Sequence, residues 1–289
     1  MFVQSTQCRF WMFASETEIQ AAQQNAHNQF IQDQLEVHGQ HAQVTAQDAA
    51  TLLRYHEKKL IEFTQKFQPP MPKNTQGTAL IYFKRFFLRN CILQYEPKDV
   101  LVTAAFLACK VEEFNVSIDQ FVANIQGNKE RAIHTILSNE LLLIRELRFH
   151  LTIHNPYRSV EGFLIDLKVN FPELADPQTL REPIERFLSE AALTNACFIY
   201  SPSQIALAAV IQSAMKSGSH VDSYVTNRLL GPEYHFDISQ IVDVINGIRY
   251  MAKRASDLPD ASTVRGILEK MAHDKEQIEQ LKSSRQRYL

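Results

Sequence analysis

Glycine is scarce in this chain, with 8 among 289 residues and no two of them adjacent. Tight hairpin turns draw on glycine for backbone angles that other residues resist, so an all-β fold is disfavoured and helices are expected. Cysteine is equally thin. Cys8, Cys91, Cys109 and Cys197 lie far apart without a CxxC pair, which argues against a disulfide framework or a zinc knuckle and for a reducing, intracellular setting. Charge of either sign is not in excess: 30 Lys and Arg against 32 Asp and Glu leave a net charge of −2, with no general pull toward nucleic acid or anionic lipid. Long apolar runs are missing too, and the opening Met1-Phe2-Val3-Gln4-Ser5 lacks the plan of a signal peptide, so a soluble protein with no membrane partner is expected. Phosphate loops of the GxxxxGK[ST] or GxGxxG kind, HExxH and GxSxG are absent. His150 and His154 have the spacing of a metal pair, but they follow Phe149 and precede Asn155-Pro156, which reads as a helix end with ordinary histidines. No catalytic residue, metal or cofactor is therefore expected.

What is present is helical periodicity over a chain that is 45% hydrophobic, enough to bury two cores. Ser15-Glu16-Thr17-Glu18 forms a capping box that opens a Gln-rich helix to about residue 37. Leu52, Leu53, Leu60, Ile61 and Phe63 mark a helix over 45–67, stopped by Pro69-Pro70-Met71-Pro72, and another runs over 74–89. Pro97 starts a helix that is apolar almost all round (Val100, Leu101, Ala104, Ala105, Phe106, Leu107, Ala108) and so belongs at a domain's centre. Ser117 with Gln120 caps a short helix to about 125, and a longer one covers 129–148.

The second half repeats the plan, with helices near 157–170, 177–199, 202–217, 221–229 and 237–254, punctuated among others by Gly231-Pro232. Tyr95-Glu96-Pro97 and Tyr200-Ser201-Pro202 each precede an Ala-rich apolar helix, 105 residues apart. Solenoid repeats recur every ~20 to 50 residues, so this period implies two tandem five-helix domains. The expected division is a terminal segment 1–44, a first domain 45–154, a second 155–256 and a closing helix 257–289.

Two charges are out of place. On the 129–148 helix, Ile133, Ile136, Leu137, Leu141, Ile144 and Leu147 form an apolar stripe, and Glu140 lies inside it. Lys110 is similarly placed on the central helix, with Phe106, Leu107 and Phe114 a turn away. The two are expected to meet, either as a structural ion pair or as anchors of a partner-binding surface. The pattern leaves both open.

The runs Tyr82-Phe83-Lys84-Arg85-Phe86, Leu107-Ala108-Cys109-Lys110-Val111-Glu112-Glu113-Phe114 and Asn139-Glu140-Leu141-Leu142-Leu143 together resemble a cyclin box. His154-Asn155-Pro156-Tyr157-Arg158, Glu161-Gly162-Phe163-Leu164-Ile165-Asp166 and Tyr200-Ser201-Pro202-Ser203-Gln204-Ile205 are similar to the H-type branch of the cyclin family in particular. The resemblance spans about residues 45–255. It implies an all-α fold, a tandem pair of cyclin-box domains with flanking terminal helices, and a non-catalytic subunit that activates a kinase. It also implies kinase-binding roles for Lys110, Glu140, Phe114, Ile144, Phe149 and Leu151. The implied partners are cyclin-dependent kinase 7, a RING-containing assembly subunit and the core of transcription factor IIH, in the nucleus. Where cell-cycle cyclins carry a Met-Arg-Ala-Ile-Leu docking motif, this chain reads Glu57-Lys58-Lys59-Leu60-Ile61. Rival readings are a cyclin C-like transcriptional cyclin, a cyclin-fold DNA-binding factor and a passive helical scaffold.

Overall fold

The computed structural model describes residues 2–36, 39–174, 176–219, 221, 223–229, 238–256 and 259–286. In chain order the helices are α1 (Thr6–Phe10), α2 (Glu16–Gln34), α3 (Ala46–Lys66), α4 (Lys73–Phe87), α5 (Pro97–Val111), α6 (Ile118–Ala123), α7 (Lys129–Glu146), α8 (Tyr157–Asn170), α9 (Arg181–Ala192), α10 (Ala196–Ile199), α11 (Pro202–Lys216), α12 (Ile238–Lys253) and α13 (Ala261–Gln286). No strand occurs among the described residues. The chain divides into two compact units, one of Ser15–Leu151 with Leu258–Leu289 and one of Met1–Ala14 with Thr152–Asp257.

In the first unit α5 is the hub, packed on α3, α4 and α7. Ala104, Ala105 and Ala108 are completely buried and let the neighbouring helices approach closely. Phe63, Phe67, Phe106, Phe114 and Phe121 fill the end of this core with edge-on and tilted ring contacts. The helix starts are set by side chains: Thr45 with Asp48, and Ser117 with Gln120, form complete capping boxes. Ser15 accepts from the Glu18 amide, which forms one arm of the box expected there.

The helices at both ends of this unit are fastened to the stretch before α3. Asp274 on α13 has no solvent exposure, and its carboxylate accepts from the amides of Gln43 (3.0 and 2.9 Å) and Val44 (2.9 Å). Lys270 reaches Asp48 at 3.0 Å, and Lys275 reaches Glu96 at 2.6 Å. From α2, His27 Nε2 lies 3.1 Å from the Val44 carbonyl, which makes Nε2 the donor and leaves Nδ1 to accept from the Cys91 thiol at 3.5 Å.

In the second unit α11 takes the central place, packed on α8, α9 and α12, with Ala206, Ala208, Ala209 and Ala214 fully buried. It begins 105 residues after α5, again with Pro in the first turn, and Ser201 with Gln204 completes its capping box. The amino-terminal residues join this unit. The Gln7 side chain accepts from the His154 amide (2.7 Å) and donates to its carbonyl (3.4 Å), and the Phe13 amide donates to the Phe198 carbonyl at 2.7 Å.

Two expectations change here. The helix expected over 177–199 is a 3-10 turn (Pro177–Leu180), then α9, then α10. It breaks at Thr194, whose hydroxyl donates to the Ala191 carbonyl (2.7 Å) and accepts from the Ala196 amide (3.2 Å), replacing helical bonds with local ones. The helix expected over 221–229 is a π-helix at Tyr224–Leu229, while Gly231-Pro232 lies outside the described residues.

Candidate partner-binding surface

Lys110 stands in the last turn of α5 and Glu140 in the second half of α7, and the packing of these helices brings Nζ to 2.6 Å from Glu140 Oε1. The ammonium also lies 4.8 Å from the centre of the Phe106 ring, a cation–π contact. The side chains are 47% and 19% exposed, so this pair stands at the surface. Exposed pairs of this sort stabilise a fold by only ~0–1 kcal/mol. One of three ammonium donors serves Glu140.

The apolar stripe read from the α7 sequence divides in two. Ile136, Leu143 and Leu147 are buried, following the 3.6-residue period into the core. Leu137 and Leu141 instead point outward, 53% and 70% exposed, which corrects their placement with the core residues. Ile144 and Phe114 are half-buried, as is Leu151, while Phe149 is 67% exposed. All six residues implied by the cyclin resemblance therefore reach solvent at least in part, and Leu137 and Leu141 belong to the same surface. The sequence signal for these two was the width of the stripe, since six apolar positions on one helix exceed what a single core-facing line needs.

Both helices end in the same way. After α5 the Glu113 amide donates to the Lys110 carbonyl (3.4 Å) and the Phe114 amide to Cys109 (2.9 Å); after α7 the Arg148 amide donates to Arg145 (2.8 Å) and the Phe149 amide to Ile144 (3.0 Å). This is the Schellman arrangement, which places the residue after the cap in the left-handed region and usually employs glycine there. Here Glu113 has φ 56° and Arg148 φ 54°, and Phe149 follows at 60°. Left-handed backbone costs an ordinary residue ~1–2 kcal/mol. Helix α4 braces both turns from one face: Thr78 donates to Glu112 (2.6 Å), Tyr82 to the Leu151 carbonyl, and Arg85 to the His150 carbonyl (3.0 Å). Thr78 and Tyr82 are one helical turn apart on α4.

A second Lys–Glu pair, not among the expected ones, lies in the interior of the first unit. Lys84 Nζ lies 2.7 Å from Glu57 Oε2 with side-chain exposures of 3% and 9%. Burial raises the Glu57 pKa, and the adjacent Lys84 opposes that shift. Glu57 of the Glu57-Lys58-Lys59-Leu60-Ile61 stretch thus faces inward. Lys84 carried the same signal as Lys110, a cation amid Leu80, Ile81, Phe87 and Leu88. No group of three or more His, Cys, Asp or Glu able to hold a metal occurs among the described residues. His154 instead meets Gln7 through its backbone and Phe2 through its ring.

A tandem all-helical fold with this surface on its first unit is the architecture of a cyclin. The cyclin amino-terminal domain model matches residues 17–152 and the cyclin carboxy-terminal domain model residues 155–253. The chain belongs to the cyclin family. Within that family it is similar to the H type: it is 43% identical to cyclin-H of Xenopus laevis over 206 residues, covering 70% of this chain and 64% of that protein. The chain thus spans less than two thirds of that relative's length. Among solved structures, a chain of the CAK complex of Chaetomium thermophilum bound to ATP-gamma-S matches with a TM-score of 0.78 at 22% identity, covering 99% of this chain and 94% of that one. A chain of the yeast TFIIK (Kin28/Ccl1/Tfb3) complex matches with a TM-score of 0.67 at 23% identity, covering 86% and 99%. At these identities the likeness is one of fold.

Proposed function

We propose that this chain is a non-catalytic regulatory subunit that binds and activates cyclin-dependent kinase 7, using Lys110, Glu140, Phe114, Ile144, Phe149 and Leu151 together with Leu137 and Leu141. The observation that carries the reading is the Lys110–Glu140 pair standing at the surface among exposed Leu137, Leu141 and Phe149. A charged pair with an apolar surround is the composition of an interface core that a partner desolvates.

A kinase is active when the Lys–Glu ion pair that orders the ATP phosphates is formed, which requires its C-helix to be swung inward. A subunit that binds the inward state better shifts the population, and moving it from 1:99 to 99:1 takes about 5.5 kcal/mol of differential affinity. Burying a large apolar side chain contributes ~1.5–3 kcal/mol, so Leu137, Leu141 and Phe149 alone supply a gross term of that order before the cost of association is subtracted.

The likeness to H-type cyclins and to chains of CAK and TFIIK complexes supports this partner, a RING-containing assembly subunit, attachment to the core of transcription factor IIH and a nuclear place of action. Within that assembly the kinase would act on other cell-cycle kinases and on the carboxy-terminal repeats of RNA polymerase II. The test is affinity for purified cyclin-dependent kinase 7 by surface plasmon resonance, comparing wild type with the Leu137→Asp/Leu141→Asp double variant. Both sites are exposed, so melting temperature is expected to hold while affinity falls at least tenfold; unchanged affinity would overturn the assignment of this face.

A further inference from the structure

Val44 is buried just before α3, and each of its backbone polar groups is used by a different terminal helix. Its amide donates to Asp274 of α13 (2.9 Å), and its carbonyl accepts from His27 of α2 (3.1 Å). The Gln43 amide donates to both oxygens of the same Asp274 carboxylate. Beyond these, the backbone of Gln43 and Val44 makes no hydrogen bond among the described residues. The entry to α3 is therefore held in place by the two helices and not by bonds of its own. One residue on, Thr45 caps α3, and Asp48 accepts from the Thr45 amide (3.1 Å) and from Lys270 (3.0 Å), one turn before Asp274 on α13. Asp274 and His27 are themselves buried. A buried carboxylate without donors, or a buried imidazole without its acceptor, bears its desolvation uncompensated.

We propose that Asp274, Val44 and His27 form a clasp through which α2 and α13 dock and release as one cooperative unit, so that an event lifting α13 also loosens α2. Each helix packs on α3, and the clasp is where they share a residue. When α13 leaves, the Gln43 and Val44 amides lose their acceptor, and the Val44 carbonyl is no longer held in line with His27. In reverse, loss of His27 frees Val44 and weakens the alignment of both amides on Asp274. The coupling is reciprocal, as linkage requires. The Cys91 thiol, 3.5 Å from His27 Nδ1, keeps the ring turned so that Nε2 faces Val44. Lys275, which joins α13 to Glu96 at the start of α5, makes no bond to this stretch and stands outside the clasp. The proposal is independent of the kinase reading.

The experiment is hydrogen exchange by mass spectrometry on the full chain, following α2, α13 and the hub α5 in wild type, Asp274→Ala, His27→Ala, the double variant and the control Lys275→Ala. Asp274→Ala is expected to speed exchange at least about tenfold in α2 as well as α13, with α5 unchanged. His27→Ala is expected to do the same to α13, an effect that vanishes when Asp274 is already alanine. Lys275→Ala is expected to leave α2 within about twofold of wild type. Acceleration confined to the helix that carries the substitution would overturn the clasp, as would equal acceleration in α5. Loosening of α2 by Lys275→Ala as great as by Asp274→Ala would place the coupling in the general docking of α13 and overturn it too. Should a variant fail to fold, exchange of the wild type in low urea decides. One common opening with one urea dependence for α2 and α13, below that of α5, supports the clasp; separate openings overturn it.

Discussion

Lys84 and Glu57 face each other at 2.7 Å inside the first unit, while thirty residues separate Lys110 from Glu140 in a pair of nearly equal length at the surface. Similar chemistry is under different physics in the two places. In the interior each ion has lost its hydration, and only its partner compensates. At the surface, water solvates both ions and the fold depends little on their contact.

Removing one partner of the buried pair strands the other. Glu57→Ala or Lys84→Ala is expected to cost about 3–5 kcal/mol in urea unfolding. Replacing both with Glu57→Leu and Lys84→Met is expected to recover most of that loss, because an apolar pair of similar volume has no charge to desolvate. A double variant as unstable as either single one would contradict this.

Acid is expected to destabilise the first unit through its buried imidazoles. Burial pushes His56 down to about 4 from 6.5, and burial lowers His27 as well. A folded pKa below the unfolded one means that the unfolded chain binds more protons between the two values. Stability is therefore full above about pH 6.5 and declines as pH falls toward 4, with His56 alone contributing a slope of about 1.4 kcal/mol per pH unit. Unfolding measured between pH 7 and 4.5 is expected to show a shallower decline in His56→Phe than in wild type; identical slopes would contradict the assignment.

In the second unit Gly247 sits within α12 where an added Cβ would lie 2.3 Å from the Tyr200 hydroxyl oxygen and 3.3 Å from its Cζ. Asn246-Gly247, a pair common in tight turns, is retained mid-helix for this close approach. Gly247→Ala is expected to cost about 1–3 kcal/mol through the clash, despite alanine's better helix propensity. In a Tyr200→Phe background the hydroxyl is gone, and the same change is expected to be neutral or stabilising by up to about 1 kcal/mol. The sign change in thermal unfolding is the readout, and its absence would place the clash elsewhere.

Much of this architecture was legible in the residues. Pro97 and Pro202 marked the two hub helices and their 105-residue offset, and the span expected as a helix near 157–170 is α8 as observed. The meeting of Lys110 and Glu140 followed from each being charged within an apolar pattern. Other features depended on tertiary context. Thr194 breaks a helical pattern through hydroxyl bonds that periodicity does not register. Leu137 and Leu141 read as core because hydrophobicity does not distinguish a face that packs inward from one exposed to solvent. Lys84 was hidden because it stood in the run that carried the family resemblance. The short helix Thr6–Phe10 was missed because its polar residues serve a local cap at Ser5 and a distant contact through Gln7.

On the reading proposed above, the Lys110–Glu140 surface activates a kinase and contributes little to folding. Its most direct measurement is the phosphotransfer rate of purified cyclin-dependent kinase 7, alone and with saturating wild type, Lys110→Ala or Glu140→Ala chain, beside the melting temperature of each variant. Strong activation by wild type, lost in both variants while their melting temperatures stay within a few degrees of it, is the predicted result. Equal activation by all three chains, or a collapse of melting temperature matching the loss of activation, would rule out this surface as the activating one.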